Sequence, residues 1–351
     1  MADIKLSVCI ATLNRSVFIG PTLQSIICQA TEQVEIVVVD GASTDSTEDV
    51  VRVYRERFPR LRYVRKSTNM GVDRDFAEAV SLAQGEYCWL FSDDDLLLPG
   101  AIQAVLDTIE NNYGVIIANA EVRNADMSKL LMPRKLPLTA DRIYKSNDSQ
   151  RFLADVANYL TFIGCVIIKR QLWCLREKDK YFGSHFIHAG VIFQSPLTED
   201  ALVIAKPLVS ARYGNAMWLA KYFEIWMFKW PDLIWSFGDY PDSVKLQVCP
   251  KEPWRRIRTL LTHRAKGTYT INGYFEWLER RLESRWSRGL SKAIAYLPGR
   301  IANLVVLVYY SAFCSKPEQP LVLVDLMNSP FYFCRLRKPG PSVSEPLHGV
   351  S

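Results

Sequence analysis

The chain has 351 residues, of which 49% are hydrophobic and 23% are charged, and its formal net charge is +6 at pH 7. This composition excludes a disordered chain and allows one large domain with an appendage, or two modest domains. Eight cysteines are scattered without CxxC spacing, which argues against a disulfide framework and a zinc knuckle. Residues 1–5 show no signal-peptide pattern, so we expect reduced thiols in a cytoplasmic protein.

The charge is unevenly distributed along the chain. Residues 1–215 hold 24 Lys and Arg against 26 Asp and Glu, whereas residues 216–351 hold 19 against 11. Seven of the nine tryptophans also lie in the second part. We therefore predict a catalytic-type domain over residues 1–215 and a helical, basic and aromatic-rich region over residues 216–351.

The first 100 residues alternate between apolar, β-branched runs and amphipathic segments. The pattern predicts strands at 6–12, 35–40, 61–64 and 87–92, and helices at 16–30, 48–58 and 76–83. Strands that alternate with helices indicate right-handed crossovers and a mostly parallel sheet. The sequence thus predicts the α/β class, with further strands at 161–168 and 203–209.

Three consecutive carboxylates, Asp93, Asp94 and Asp95, follow the fourth predicted strand. Their mutual repulsion requires water or a cation, and Mg²⁺ or Mn²⁺ takes such oxygen ligands while also holding substrate phosphates. The alternative is a solvated acidic turn. The strand ends at Thr12 and Asp40 should converge with the acids at one edge of a parallel sheet, which favours a ligand site.

Four short motifs together resemble the GT-A (nucleotide-diphospho-sugar transferase) fold of family 2 glycosyltransferases. They are Ile10-Ala11-Thr12-Leu13-Asn14-Arg15, Val39-Asp40-Gly41-Ala42-Ser43-Thr44-Asp45, Asn69-Met70-Gly71, and Ser92-Asp93-Asp94-Asp95 with Pro99. Two later stretches, 213–216 and 228–237, resemble the abequosyltransferase-like branch of bacterial O-antigen enzymes. No GxGxxG or GxxxxGK[ST] motif is present, so a classical dinucleotide fold and a P-loop are not supported.

The resemblance implies which residues serve the donor. It assigns Asp40 to the nucleobase, and it assigns Asp94 and Asp95, with Asp93, to Mg²⁺ or Mn²⁺ on the diphosphate. Asp93 would also face the ribose or the sugar. The other donor-binding residues that it implies are Thr12, Asn14, Arg15, Ser43, Asn69, Gly71 and Arg74. Direct displacement with inversion is the expected chemistry.

The general base is harder to place. The resemblance implies an aspartate, often in a Glu-Asp pair, but the slot at the usual spacing holds His185 and His188. If that segment is helical, the two histidines share a helix face, and either could accept the proton of the acceptor hydroxyl. Metal ligation and a structural role are the alternatives. The Glu199-Asp200 pair offers Asp200 as a further candidate, although a turn before a strand explains that pair as well.

The basic, aromatic tail suggests where such an enzyme would work. The apolar run 301–315 is shorter than a membrane span, whereas Trp, Tyr, Lys and Arg favour an anionic membrane surface. We expect peripheral binding to the cytoplasmic face of the inner membrane and a polyprenyl-linked saccharide acceptor. The alternative is internal packing or a homo-oligomer interface. No nucleic-acid-binding motif accompanies the basic charge.

Two other functions are compatible with the same sheet. A sugar-phosphate nucleotidyltransferase would need a Gly-rich, Arg-containing phosphate loop after the first strand, and the sequence has none. A membrane-bound scaffold with an inactive site agrees with the missing aspartate base but not with the intact Asp40 and Asp93–Asp95.

Overall fold

The computed structural model describes residues 3–215, 221–315 and 319–333. The chain divides into two compact units, Met1–Pro253 and Trp254–Ser351. The boundary expected at residue 215 falls inside the first unit, because aromatic residues beyond it join that unit's core. The ring of Trp230, for example, lies 4.8 Å from that of Phe186.

The first unit is built on a sheet of ten strands in its described residues. The strands are β1 (Leu6–Thr12), β2 (Val34–Asp40), β3 (Leu61–Arg65), β4 (Tyr87–Phe91), β5 (Leu96–Leu97), β6 (Val115–Arg123), β7 (Leu130–Met132), β8 (Arg142–Tyr144), β9 (Val166–Lys169) and β10 (Ala201–Arg212). Their spatial order is β3-β2-β1-β4-β9-β6-β10-β5, with β7 beside β6 and β8 beside β10.

Helices cover both faces of this sheet. They are α1 (Ser16–Ile27), α2 (Thr47–Arg57), α3 (Val72–Leu82), α4 (Ala101–Ile109), α5 (Ser149–Val156), α6 (Arg170–Leu175), α7 (Ile187–Phe193), α8 (Tyr222–Glu224), α9 (Trp230–Trp235) and α10 (Asp242–Val248). A π-helical segment, Ile225–Lys229, joins α8 to α9. The bounds of α1 and α2 agree closely with the predicted ones. Part of the predicted aromatic run, residues 216–220, lies outside the described residues.

Strand direction decides where the site lies. Strands β1, β2, β3 and β4 are mutually parallel, and β9 is antiparallel to both β4 and β6. Strands β6 and β10 are parallel to each other, so the C-terminal ends of β1, β2, β4, β6 and β10 share one edge. We call this the carboxyl edge. The sheet is therefore mixed, and the predicted α/β class is confirmed.

The strands read as continuous apolar runs because both faces of the sheet are buried. Along β1, Val8 and Ile10 pack into one hydrophobic cluster, while Cys9 and Ala11 pack into the cluster on the opposite face. The central strands are thus rigid supports for the polar residues that follow them. Among the described cysteines none forms a disulfide.

The second unit is helical in its described residues. Its helices are α11 (Ile257–Lys266), α12 (Ile271–Gly273), α13 (Arg285–Tyr296), α14 (Gly299–Phe313) and α15 (Gln319–Asn328), with a π-helical segment at Tyr274–Leu278. A small buried cluster contains Ala265, Ala302 and Leu326. The side-chain amide of Asn303 ties this cluster together by donating to the carbonyls of Ala265 (3.1 Å) and Leu326 (3.0 Å).

In the described parts of the chain, no single helix has the length and apolar character to cross a membrane. Helices α13 and α14 meet that criterion only as a pair, and they are bent by 97° relative to each other.

Candidate active site

The acidic triplet, Asp93, Asp94 and Asp95, follows β4 at the carboxyl edge. Helix α1 fixes this turn, because the hydroxyl of Thr22 donates to the backbone carbonyl of Asp95 (2.8 Å). All three residues are buried, with exposed fractions of 8%, 7% and 3%. A solvated acidic turn would be exposed, so burial excludes that alternative.

Arg15 pairs with two of these acids. Its Nη2 donates to Asp94 Oδ2 (2.7 Å) and its Nε to Asp93 Oδ1 (3.3 Å). The side-chain amide of Asn215 donates to the same Asp94 oxygen (2.7 Å). Among the described residues, Arg15 is the only side chain that forms ion pairs with the triplet. The prediction that Arg15 lies at this site is consistent with the geometry.

The end of strand β10 completes the surroundings of the triplet. The backbone N–H of Arg212 donates to Asp95 Oδ1 (2.7 Å), and its Nε donates to the backbone carbonyl of Asp94 (2.9 Å). The guanidinium groups of Arg15 and Arg212 lie 5.0 and 5.1 Å from the ring of Phe18. Arg212 was not predicted from the sequence, because no local pattern shows that the end of this strand faces the triplet.

Burial makes the triplet electrostatically unfavourable without further positive charge. Burial first, and then the charge of Asp94, raise the pKa of Asp93 to about 7, although Arg15 opposes the rise. The same two causes raise the pKa of Asp95 well above its usual range. A hard cation would relieve this repulsion.

The donor set fits a divalent cation only in part. Carboxylate oxygens are suitable ligands, but the described residues contain no preassembled group of three or more metal-binding side chains. Mg²⁺ commonly uses one or two carboxylates and completes its shell with water and substrate phosphates. The triplet therefore fits a divalent cation that is held jointly by one or two of its carboxylates and by the phosphates of a bound substrate.

The second strand end carries the residue predicted to contact the nucleobase. Asp40 is fully buried and is paired with Thr12 in the register of β1 and β2. The backbone N–H of Ser43 donates to Asp40 Oδ1 (2.7 Å), and the hydroxyl of Tyr63 donates to Oδ2 (2.6 Å). Burial and the bond to Asp40 raise the pKa of Tyr63, which keeps it a donor. Tyr63 is a second residue that our sequence analysis missed.

Asn14 links the first two strand ends. Its backbone N–H donates to the hydroxyl of Ser43 (2.8 Å), and its Oδ1 accepts the N–H of Thr44 (2.7 Å). Asn14 has a φ of 54°, in the left-handed region that asparagine tolerates better than most residues. Asn14 and Ser43 therefore hold the loops that follow β1 and β2 together.

The turn before α3 and the first turn of that helix carry Asn69, Gly71 and Arg74, which the sequence predicts to bind the donor. Asn69 Oδ1 accepts the N–H of Gly71 (2.9 Å), and Gly71 has a φ of 92° that favours glycine. The guanidinium of Arg74 is exposed and lies 4.2 Å from the ring centre of Phe182. The guanidinium of Arg74 therefore packs on an aromatic ring and remains open to solvent.

His185 and His188 do not share a helix face, because the segment is not helical at His185: α7 begins at Ile187. Asp73, in the first turn of α3, fixes the backbone of the loop that precedes α7. Its Oδ2 accepts the N–H groups of Gly183 (2.8 Å) and His185 (2.9 Å), and its Oδ1 that of Ile187 (3.1 Å). Since α3 begins at the carboxyl edge, this loop lies at that edge too.

The two histidines have different environments. His188 is 1% exposed, and its Nε2 is 2.5 Å from the carbonyl oxygen of Leu160, so it donates there and packs in the core. His185 is half-buried and has a φ of 70°, which is unusual for a residue other than glycine. Burial and the charge of Lys229 lower the pKa of His185 to about 4. His185 is therefore the histidine with access to a ligand.

Asp200 lies at the wrong edge of the sheet to be a catalytic base for this site. It directly precedes β10, whose first residue pairs with the start of β6, opposite the carboxyl edge. Its carboxylate accepts hydrogen bonds from Lys145 Nζ (2.8 Å) and from the N–H of Ser146 (3.1 Å). The Glu199-Asp200 pair therefore agrees with the alternative interpretation, a structural turn before a strand.

An α/β sheet with buried acids and Asp40 along one carboxyl edge is typical of nucleotide-binding enzymes. The family model described as Glycosyl transferase family 2 matches residues 7–171. Abequosyltransferase RfbV of Salmonella typhimurium is 30% identical over 224 residues, which cover 60% of this chain and 67% of that protein. The chain belongs to glycosyltransferase family 2.

A further curated relative is the GalNAc(5)-diNAcBac-PP-undecaprenol beta-1,3-glucosyltransferase of Campylobacter jejuni. It is 29% identical over 127 residues, which cover 36% of this chain and 41% of that protein. One similar solved structure is S. aureus TarS 1-349 in complex with UDP-GlcNAc, with a TM-score of 0.52 and 15% identity; the match covers 93% of this chain and 90% of that one. Another is the mannosyltransferase PcManGT of Pyrobaculum calidifontis in complex with GDP-Man and Mn²⁺, with a TM-score of 0.52 and 16% identity; the match covers 93% of this chain and 88% of that one. These likenesses confirm the predicted fold.

Proposed function

We propose that this glycosyltransferase moves a sugar from a nucleotide-sugar to a hydroxyl of a saccharide in the synthesis of a cell-surface polysaccharide such as O-antigen. The observation that carries the proposal is the buried triplet Asp93–Asp95 on the same sheet edge as Asp40. The name of the Campylobacter relative, which contains a saccharide acceptor, supports the acceptor class. Nucleotide-sugars bound to the similar structures support the donor class.

The leaving nucleoside diphosphate must be stabilised as its bond to the sugar breaks. Asp94, with Asp95, would hold Mg²⁺ or Mn²⁺, which supplies Lewis-acid stabilisation of the diphosphate charge. Asp93 would remain bonded to Arg15 and face the ribose or the sugar. Arg15 would give up part of its contact with Asp94 and bind the diphosphate instead. The Mn²⁺ in the mannosyltransferase structure supports a divalent metal in this role.

The acceptor hydroxyl needs a base, and we assign that role to His185. The pKa of His185, lowered to about 4, leaves the imidazole neutral at pH 7 with a ring nitrogen that can accept a proton. The same shift makes it a weaker base than an ordinary histidine, so proton transfer depends on its position beside the acceptor hydroxyl. Asp73 fixes the backbone of the loop that presents it. A base placed opposite the leaving diphosphate would give direct displacement with inversion.

The wild-type protein should bind nucleotide-sugars in the presence of Mn²⁺. We expect calorimetry across UDP-, GDP-, CDP-, ADP- and dTDP-sugars to show saturable binding of at least one donor, since the triplet and Asp40 can hold its diphosphate and base. Removal of the metal by EDTA should weaken that binding. If no donor in the panel binds, the proposed function is wrong.

The acceptor is proposed to be polyprenyl-linked, which places the enzyme at the cytoplasmic face of the inner membrane. The name of the Campylobacter relative contains a PP-undecaprenol saccharide. In this chain, residues 254–351 hold 15 Lys and Arg against 6 Asp and Glu, which suits an anionic bilayer. Helix α14 also presents an apolar stripe to solvent, formed by Ile301, Leu304, Val305 and Val308, each about half exposed.

Charges placed in this stripe should weaken membrane binding. We expect the wild-type protein to float with anionic liposomes, and Val305→Asp/Val308→Asp to partition on the order of tenfold less, because two valines no longer enter the apolar layer. Val53→Asp is the matched control, since Val53 is equally exposed, on α2. Equal flotation of all three proteins, or none, would contradict the proposal. A concentration-dependent dimer lost in the double variant would assign the stripe to self-association instead.

A further inference from the structure

Asp75 is a buried carboxylate that the fold does not satisfy. It lies in the first turn of α3 and is 4% exposed, and its Oδ1 accepts no hydrogen bond from any described residue. Asp73, two residues earlier, receives three backbone N–H groups. Leaving a buried acceptor without a donor is costly, and it indicates that a ligand supplies one.

The carboxylate lies beside the nucleobase side of the proposed donor site. A Cβ atom placed on Gly41 would be 2.8 Å from Asp75 Oδ2, so the carboxylate packs directly on the residue that follows Asp40. Only glycine at position 41 permits this approach. Asp75 in α3 therefore lies against the end of β2, beside the residue that follows Asp40.

The charges around Asp75 leave it an acceptor at neutral pH. Burial first, and then Glu78, raise its pKa to about 6, with smaller contributions from Asp40 and Asp73. Lys66 opposes them but is itself paired with Glu78. At pH 7.5 most molecules carry the ionised form, which has hydrogen-bond acceptors only.

We propose that Asp75, together with Asp40, selects a donor nucleotide whose base carries an exocyclic amino group. Cytosine, adenine and guanine can present N–H donors from that group to two carboxylates. Uracil and thymine present a single N3–H between two carbonyl oxygens, and those oxygens would face the carboxylates. This inference rests on the proposed function, because it specifies the donor for the same site.

Nucleoside diphosphates test the inference directly. We expect calorimetry of the full chain with Mn²⁺ at pH 7.5 to show CDP, ADP or GDP binding on the order of tenfold tighter than UDP. In Asp75→Asn the amide can turn its NH₂ toward a uracil carbonyl, so the ratio should shift toward UDP by on the order of tenfold. Glu56→Gln is the control: it neutralises an exposed carboxylate on α2 and should leave the ratio unchanged.

Each contrary result has a separate meaning. A wild-type preference for UDP would overturn the assignment of the base class. An equal loss of affinity for all four nucleotides in Asp75→Asn would show a structural role and would also overturn it. If the variant is unstable, the affinities of the wild-type protein for CDP, ADP or GDP relative to UDP still test the proposal. Wild-type protein that binds none of the four would instead overturn the proposed function itself.

Discussion

Replacing Asp94 by Asn should lower kcat/KM for sugar transfer by on the order of 10²–10³-fold. The change removes one negative charge between Asp93 and Asp95, which is the charge that Arg15 now pairs with. With the charge gone, the cation that we propose would bind weakly, and the leaving diphosphate would lose its stabilisation. Initial rates at varied donor and Mn²⁺ concentrations measure the effect.

The same variant can separate a metal site from a structural ion pair. If Asp94 binds the metal, the variant should lose the Mn²⁺-dependent part of donor affinity and keep the affinity that remains in EDTA. If Asp94 only pairs with Arg15, both affinities should fall together. Asp107→Asn, an exposed carboxylate on α4, is the control and should leave rates unchanged. Full Mn²⁺ dependence in Asp94→Asn would remove the metal assignment.

The sequence predicted those parts of the site that depend on strand direction. Runs such as Val34–Asp40 identify a strand buried on both faces, and parallel strands must end at one edge. That rule brings Thr12, Asp40 and the triplet together without knowledge of any side-chain contact. The α/β class and the edge that carries the site could be derived in this way, whereas the family was indicated by the resemblance of four short motifs.

The rest depends on contacts between residues far apart in sequence. Arg212 reaches Asp95 across 117 positions, and no local pattern indicates which strand end faces which acid. The loop at residues 183–186 is not helical because Asp73, 110 positions before Gly183, binds its N–H groups. Asp200 could be dismissed only when the register of β10 against β6 had placed it at the opposite edge.

Replacing His185 by Asn should lower kcat by on the order of 10²–10³-fold while leaving donor affinity unchanged, because a base acts on the acceptor and not on the nucleotide. Asparagine tolerates a positive φ, so the loop held by Asp73 should keep its conformation. A backbone in this sparsely populated region often marks a functional residue, which is a further reason to test His185. Turnover and calorimetric donor binding, measured on the same preparation, distinguish loss of a base from loss of the site.

The pH dependence of the rate provides an independent check on His185. With a pKa lowered to about 4, the imidazole is already deprotonated at pH 6. At saturating donor and Mn²⁺, where the bound cation keeps Asp93 ionised, the wild-type rate should therefore be flat from pH 6 to pH 8. A base with the ordinary histidine pKa of about 6.5 would instead give a rate that rises through this range. In His185→Gly, which also permits the positive φ, added imidazole should restore part of the turnover. Normal turnover in His185→Asn, or no rescue of His185→Gly, would place the base on another residue and leave His185 with a structural role.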